Sequence, residues 1–131
     1  MSVKIPFKTK FTIEERVKES AKIRQKYPDR VPVIVTPMGS VKPIDKTKFL
    51  IPGDLSVSHL QGVIRKRVQL TQEEAMWIFV IGKDGREVIP PTSVTLDSLY
   101  KEHVEDNKDD KEWDGFLYIL YSGENTFGND L

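Results

Sequence analysis

Residues 31–53, which read VPVIVTPMGSVKPIDKTKFLIPG, decide the fold. Residues 31–35 are apolar on both faces of a strand, so both faces need cover and a buried strand is predicted. A loop with proline and glycine separates it from a second strand at residues 48–51. Lys48 at the start of that second strand and Pro52 after its end are typical of a sheet edge. The stretch therefore predicts a hairpin whose second strand is open on one side.

Helices are predicted before this hairpin. Thr12 and Glu15 have the spacing of a capping box, so a helix should run over residues 13–26 and end before Pro28. Residues 4–11 predict a short separate helix upstream. The apolar period of the longer helix places three residues toward the core, namely Ile13, Val17 and Ala21.

The chain after the hairpin alternates between helices and strands. Ser56 can cap a helix that ends near Val68. A continuous apolar run at residues 77–81 predicts a buried strand. A helix at residues 93–103 and a last strand at residues 116–121 follow. This order predicts an α+β β-grasp with a four-stranded mixed sheet and a crossover helix, preceded by two N-terminal helices.

Composition limits the possible classes of protein. A chain of 131 residues supports one globular domain. We divide it into an N-terminal helical extension at 1–27, a β-grasp core at 28–122 and a flexible C-terminal tail at 123–131. The chain has no cysteine, no apolar run of membrane-spanning length and no secretory signal, so a cytoplasmic protein is expected. No thiolate nucleophile and no cofactor are expected.

Charge is unevenly distributed along the chain. Residues 1–67 hold 15 basic against 6 acidic residues, and residues 68–131 hold 5 against 14. The basic half could meet an acidic partner, an anionic membrane or nucleic acid. The two halves could also complement each other within one fold. The neutral total, and the lack of an aromatic platform beside Arg65, Lys66 and Arg67, argue against a nucleic-acid partner.

The C-terminal tail is the strongest chemical signal. The apolar last strand leads into a polar segment that carries Gly128 and then three more residues, Asn129, Asp130 and Leu131. Glycine has no Cβ, so its carbonyl can enter a narrow active site. The tail could thus be a reacting carboxyl terminus once the last three residues are removed, and partner enzymes would do that chemistry. A frayed end that happens to contain glycine is the alternative.

Six stretches carry a family resemblance: YPDRVPVI (27–34), IDKTKFLIP (44–52), VIRKR (63–67), PPT (90–92), DGFLY (114–118) and YSGENTFG (121–128). On these stretches the chain resembles the autophagy ubiquitin-like modifiers of the microtubule-associated light chain and GABA-receptor-associated protein type. The resemblance covers nearly the whole chain from Phe7 onward. It implies a ubiquitin-like fold preceded by two helices.

The resemblance implies that Gly128 is a substrate. A processing cysteine protease would cut after it, and activating and conjugating enzymes would pass its carboxylate to the amine of phosphatidylethanolamine. The protein would then lie on the autophagosome membrane. The resemblance leaves tubulin and microtubules open as partners, and a monomer is expected.

The resemblance also implies capture of short motifs from cargo receptors and adaptors, with an aromatic and an aliphatic residue spaced by two. The motif would add a strand along residues 48–51. A first pocket, for the aromatic residue, would be lined by Glu19, Ile23, Pro32, Ile34, Lys48, Leu50 and Phe116. A second pocket, for the aliphatic residue, would be lined by Phe49, Ile51, Pro52, Leu55, Leu60, Val63 and Arg67. Arg30, Lys48 and Arg67 would attract acidic residues that flank the motif.

Three alternative functions were considered, and two segments depart from the family pattern. A calcium loop beginning at Asp110 fails because its twelfth position is Tyr121 rather than a glutamate. No nucleophile–base pair indicates an enzyme. A β-grasp interaction protein that keeps its tail, such as a cytoskeletal adaptor, is the main rival. Segments 82–89 and 105–113 look longer than the family pattern.

Overall fold

The computed structural model describes residues 4–124. The helices are α1 (Pro6–Lys10), α2 (Ile13–Lys26), α3 (Val57–Val68) and α4 (Leu96–His103), with short 3-10 turns at Lys83–Gly85 and Glu105–Asn107. The strands are β1 (Arg30–Met38), β2 (Lys48–Pro52), β3 (Trp77–Ile81), β4 (Glu87–Val88) and β5 (Leu117–Ser122). Gly128 and the rest of the predicted conjugation tail beyond residue 124 lie outside the described residues.

The strands form one mixed sheet in the order β2-β1-β5-β3-β4. β1 and β5 are parallel neighbours at the centre, and the other pairs are antiparallel. The sheet has five strands, so the predicted number of four was wrong. β4 is only two residues long, and two residues show no alternation that a sequence pattern could reveal.

The caps explain where the helices begin. Thr12 accepts a hydrogen bond from the Glu15 backbone, and the Glu15 side chain accepts one from Thr12, so the predicted capping box is present. Ser56 caps α3 in the predicted way. The last helix starts later than expected, because the Thr95 side chain accepts from the Ser98 backbone and fixes the first turn there.

Both faces of the sheet are covered. Odd-numbered β1 residues and their neighbours pack against α3 and α4 in the larger apolar cluster. Ile34 belongs to a smaller cluster on the other face, together with Ile5, Phe7, Phe116 and Tyr118. The two faces of β1 therefore belong to two separate cores, as the apolar residues on both its faces predicted.

The predicted inner stripe of α2 was wrong. Ala21 is exposed, whereas Arg16 and Ser20 are 8% and 2% exposed. Ser20 Oγ donates to the Asp114 carbonyl at 2.6 Å. Gly115 (φ +87°) lies so close that a Cβ there would be 2.3 Å from Ser20 Oγ. The helix docks through polar groups at close range, and a search for apolar periodicity cannot find such a face.

Candidate functional site

β2 forms a free edge of the sheet. It pairs with β1 on one side, in the register Val33↔Phe49 and Pro32↔Leu50. The Val35 backbone N–H donates to the Thr47 carbonyl at 2.8 Å, so Val35 and Thr47 form a hydrogen-bonded pair between the two strands. Because hydrogen-bonded pairs alternate in an antiparallel ladder, Phe49 bonds to β1, whereas the Lys48 and Leu50 backbone groups point away from it. The edge therefore presents main-chain donors and acceptors at residues 48 and 50.

The position of Pro32 is compatible with this alternation of hydrogen-bonded pairs. It lies opposite Leu50 at a pair that exchanges no hydrogen bonds, so its missing N–H costs nothing in the hairpin. The outward carbonyl of Leu50 has a local partner, since Arg30 Nη1 donates to it at 3.2 Å. Arg30 is itself held by Arg24, whose Nη1 donates to the Arg30 carbonyl at 2.7 Å. An added strand would have to displace the Arg30 side chain from this carbonyl.

One side of the β2 edge faces α2. Lys48 Nζ forms an ion pair with Glu19 Oε2 on α2, which spans the gap between helix and strand. Ile23 of α2 packs half-buried against the smaller apolar cluster. Ile34 and Phe116 form a floor at 0% and 3% exposure. This side is therefore an apolar groove that an ion pair bridges.

The other side of the edge faces α3. Leu55 and Val63 are half-buried against the larger apolar cluster. The Arg67 guanidinium lies 5.9 Å from the centre of the Phe49 ring, and Lys46 Nζ lies 5.1 Å from it. Arg67 Nε also donates to Asp45 Oδ1 at 2.9 Å. This side is an apolar surface bordered by cations.

The fifteen residues predicted for the peptide site lie on or beside α2, β1, β2, α3 and the start of β5, at different depths. Nine are exposed or half-buried: Glu19, Ile23, Arg30, Lys48, Leu50, Pro52, Leu55, Val63 and Arg67. Six are buried: Pro32, Ile34, Phe49, Ile51, Leu60 and Phe116. Leu60 is completely buried in the larger apolar cluster, so its side chain is not on the surface of the edge.

A buried polar cluster that the sequence did not reveal connects α2 to β5. Arg16 Nη1 donates to Asp114 Oδ2 at 2.7 Å, and the Tyr118 hydroxyl donates to the same oxygen. Burial, and then the Asp114 carboxylate, raise the pKa of Tyr118. Burial lowers the pKa of Arg16, but its interactions with Tyr118 and Asp114 raise the pKa by more. The net shift of the Arg16 pKa is upward. The chain offers no sequence signal for this cluster, because Arg16 and Asp114 are 98 residues apart.

Two cavities of the described structure lie away from β2. A cavity of about 570 Å³ lies among α1, the turn at 82–85 and the segment 103–114. Of the residues predicted for the peptide site, only Phe116 lines it. An unpaired strand edge such as that of β2 suits an extended chain that adds to a strand. Among residues 4–124 no helix is both long and apolar enough to cross a bilayer.

The β-grasp sheet with its free β2 edge defines a ubiquitin-like protein. The family described as "Autophagy protein Atg8 ubiquitin like" matches residues 15–128. Autophagy-related protein 8 of Schizosaccharomyces pombe is 47% identical over 124 residues, 93% of each chain. Autophagy-related protein 8a of Arabidopsis thaliana is 45% identical over 128 residues, 96% of this chain and 95% of its own.

A solved structure agrees with these relatives. The crystal structure of Trypanosoma brucei ATG8 matches with a TM-score of 0.74 and 38% identity, over 96% of this chain and all of that one. The chain therefore belongs to the Atg8 family of ubiquitin-like autophagy modifiers. The family resemblance and the predicted fold class are both confirmed. Its partners belong to the machinery of autophagy.

Proposed function

We propose that this modifier works through two separate parts of the chain. The tail is cut after Gly128 by a cysteine protease, and activating and conjugating enzymes join the Gly128 carboxylate to phosphatidylethanolamine. The protein moves from the cytoplasm to the autophagosome membrane. Conjugation to phosphatidylethanolamine would give the protein two acyl chains. This supports the proposal, because stable membrane anchoring generally needs more than one chain.

The β2 edge captures aromatic-x-x-aliphatic motifs from cargo receptors and adaptors. The single observation that carries this proposal is the outward direction of the Lys48 and Leu50 backbone groups. In a strand that pairs with them, side chains three residues apart point to opposite faces. The aromatic side chain would then lie on the α2 side and the aliphatic one on the α3 side.

The expected affinity is moderate. Each anchor side chain would contribute roughly 1.5–3 kcal/mol by burial. Ordering the peptide opposes part of that gain. Binding in the micromolar range, about −8 kcal/mol, is expected. The Lys48–Glu19 pair must open or move aside for the aromatic side chain, and the freed Lys48 ammonium can then meet an acidic residue of the motif.

Peptide titration tests the edge. Leu50→Ala combined with Arg67→Ala should weaken binding of an acid-flanked Trp-x-x-Leu peptide roughly tenfold or more, because both sides of the edge lose a contact. Lys66→Ala is the matched control, since Lys66 is exposed beside Arg67 and makes no ion pair among the described residues. Conjugation should persist in the double variant. Equal affinities for wild type and the double variant would count against the two-pocket edge.

Intact-mass analysis of the cellular protein tests the tail. Loss of Asn129–Leu131 together with a phospholipid adduct is expected. The rival function, a β-grasp adaptor that binds partners such as microtubules without lipidation, would instead leave a full-length, unmodified pool.

A further inference from the structure

The backbone of Gly115 packs against α2 at very close range. A Cβ at position 115 would lie 2.3 Å from Ser20 Oγ and 3.0 Å from Ser20 Cβ. Because nonbonded carbon atoms pack at roughly 3.5–4.0 Å, rotation of the hydroxyl group alone could not relieve that contact. Ser20 Oγ is also held in place, since it donates to the Asp114 carbonyl at 2.6 Å. We call this contact the Ser20–Gly115 spacer, because it limits how closely α2 approaches the segment before β5.

The spacer adjoins two residues that border the first pocket. Ile23 lies three residues after Ser20, which places it about 60° from Ser20 around the helix. Ile23 packs against the smaller apolar cluster, which includes Phe116. Phe116 directly follows Gly115 and is 3% exposed. A change in the separation of α2 from the 114–116 segment would therefore change the width of the first pocket.

Two anchors of α2 lie on either side of the spacer. One turn before Ser20, Arg16 Nη1 donates to Asp114 Oδ2 at 2.7 Å. One turn after it, Arg24 Nη1 donates to the Arg30 carbonyl at 2.7 Å. The anchors hold the helix against the sheet, and the spacer sets the distance at which it is held.

We propose that the Ser20–Gly115 spacer determines which aromatic residue the first pocket accepts. This inference rests on the proposed capture of aromatic-x-x-aliphatic motifs at the β2 edge. A wider separation leaves room for the two fused rings of tryptophan, and a narrower one favours the single ring of phenylalanine. Ser20 and Gly115 are positioning residues, because they act on the peptide through Ile23 and Phe116.

Two substitutions change the spacer in opposite directions. Gly115→Ala adds a methyl group that pushes α2 outward, because this Cβ would overlap with Ser20. Ser20→Gly removes the hydroxymethyl group and lets α2 approach. Each full-length variant is titrated with a Trp-x-x-Leu and a Phe-x-x-Leu peptide that are otherwise identical. The readout is the ratio of the two dissociation constants, because a loss of folded protein alone affects both titrations alike.

The ratio should shift about tenfold toward tryptophan in Gly115→Ala, since apolar pockets discriminate by at least that order between side chains that differ in size. It should shift toward phenylalanine in Ser20→Gly. Combining the two substitutions should return the ratio to near the wild-type value, because the added methyl group then faces a glycine. The affinity ratio of Trp-x-x-Leu to Trp-x-x-Ala, which reports on the second pocket, should stay the same in every variant.

Matched controls separate the steric effect from backbone effects. Gly115 has φ +87°, where alanine is strained even without a steric neighbour. Gly85→Ala introduces similar strain at φ +74°, where a Cβ would have no heavy atom of a non-adjacent described residue within 4 Å. Ala21→Gly places glycine in α2 at an exposed position beside Ser20. Both controls should keep the wild-type ratio.

Unchanged ratios in folded, peptide-binding Gly115→Ala and Ser20→Gly would overturn the spacer and leave peptide capture intact. A control that shifts the ratio as much as its matched variant would also overturn it. If the urea midpoint shows that Gly115→Ala does not fold, the comparison of Ser20→Gly with Ala21→Gly decides. Failure of the wild-type chain to bind either peptide would instead contradict the proposed function, and the role of the spacer with it.

Discussion

Arg16 on α2 donates to Asp114, 98 residues later in the chain, at a distance of 2.7 Å. Their side chains are 9% and 2% exposed, so the pair is shielded from water. Asp114 also accepts hydrogen bonds from the Tyr118 hydroxyl and the Phe116 backbone. One carboxylate therefore connects the N-terminal helices to the start of the last strand. The N-terminal extension is fixed to the β-grasp by this buried polar cluster as well as by apolar packing.

Asp114→Ala should strongly destabilise the protein. It leaves the Arg16 charge buried without a partner, and breaking such a pair from one side costs roughly 3–5 kcal/mol. Arg16→Ala should cost less, because Asp114 keeps its Tyr118 and Phe116 partners. Urea unfolding measures both changes. Lys101→Ala, which breaks an exposed pair with Asp106, is the control and should match the wild type. An Asp114→Ala midpoint equal to that of the control would contradict a stabilising role for the cluster.

The spacing of the peptide motif should be strict. An aromatic-x-aliphatic peptide puts both anchors on the same face of the added strand, so only one side of the β2 edge can be filled. Losing one buried anchor costs roughly 1.5–3 kcal/mol, or about 10- to 150-fold in affinity. Calorimetric titration of peptides that differ only in spacing provides the measurement. Similar affinities at both spacings would show that the two sides of the edge are not used together.

Alkaline pH should destabilise the fold through its buried tyrosines. Burial raises the pKa of Tyr100 and Tyr121 to about 12, and burial with the Asp114 carboxylate raises that of Tyr118. These hydroxyls ionise more easily in the unfolded chain, near pH 10. Their contribution is therefore fully present below about pH 10 and is lost as the pH rises toward 12.

Urea midpoints between pH 8 and pH 12 measure this loss. Tyr121→Phe should flatten the alkaline slope, because one group with a raised pKa is removed. Tyr27→Phe is the control, since Tyr27 is exposed, and it should leave the slope unchanged. If Tyr121→Phe has the same slope as the control, the buried Tyr121 hydroxyl does not contribute to the pH dependence.

Gly128→Ala should leave folding intact and block processing. The added methyl group hinders access of the protease to the carbonyl at position 128. Folding should be unaffected, because position 128 lies beyond the described sheet and helices. Cell fractionation and intact mass should show a full-length protein without a phospholipid adduct. The urea midpoint should equal that of the wild type. Normal membrane recruitment of Gly128→Ala would rule out conjugation through this residue.

The sequence predicted what depends on local chemistry. Thr12 and Ser56 indicated where two helices begin, because a helix N-cap needs a side-chain oxygen at that position. Lys48 and Pro52 indicated a sheet edge because edges avoid unwanted pairing. The two-residue strand β4 has too few residues for a pattern. The α2 face that contains Arg16 escaped prediction because its partner is distant in sequence and polar.

The candidate sites divide in the same way. The β2 edge could be predicted because its residues are consecutive and a family resemblance names its neighbours. The depth of each residue could not, and Leu60 and Ile34 are more deeply buried than a lining residue would be. The cavity of about 570 Å³ was not predicted, since it forms only where residues from α1, the 82–85 turn and the 103–114 segment meet.

Backbone amide hydrogen exchange of residues 48–51 tests the central claim most directly. An aromatic-x-x-aliphatic peptide is added, and exchange is followed residue by residue by NMR. The account predicts that the Lys48 and Leu50 amides become protected, while Phe49 and Ile51, already paired with β1, change little. Binding that leaves the Lys48 and Leu50 amides as exchangeable as before would contradict the β2 edge as the peptide site.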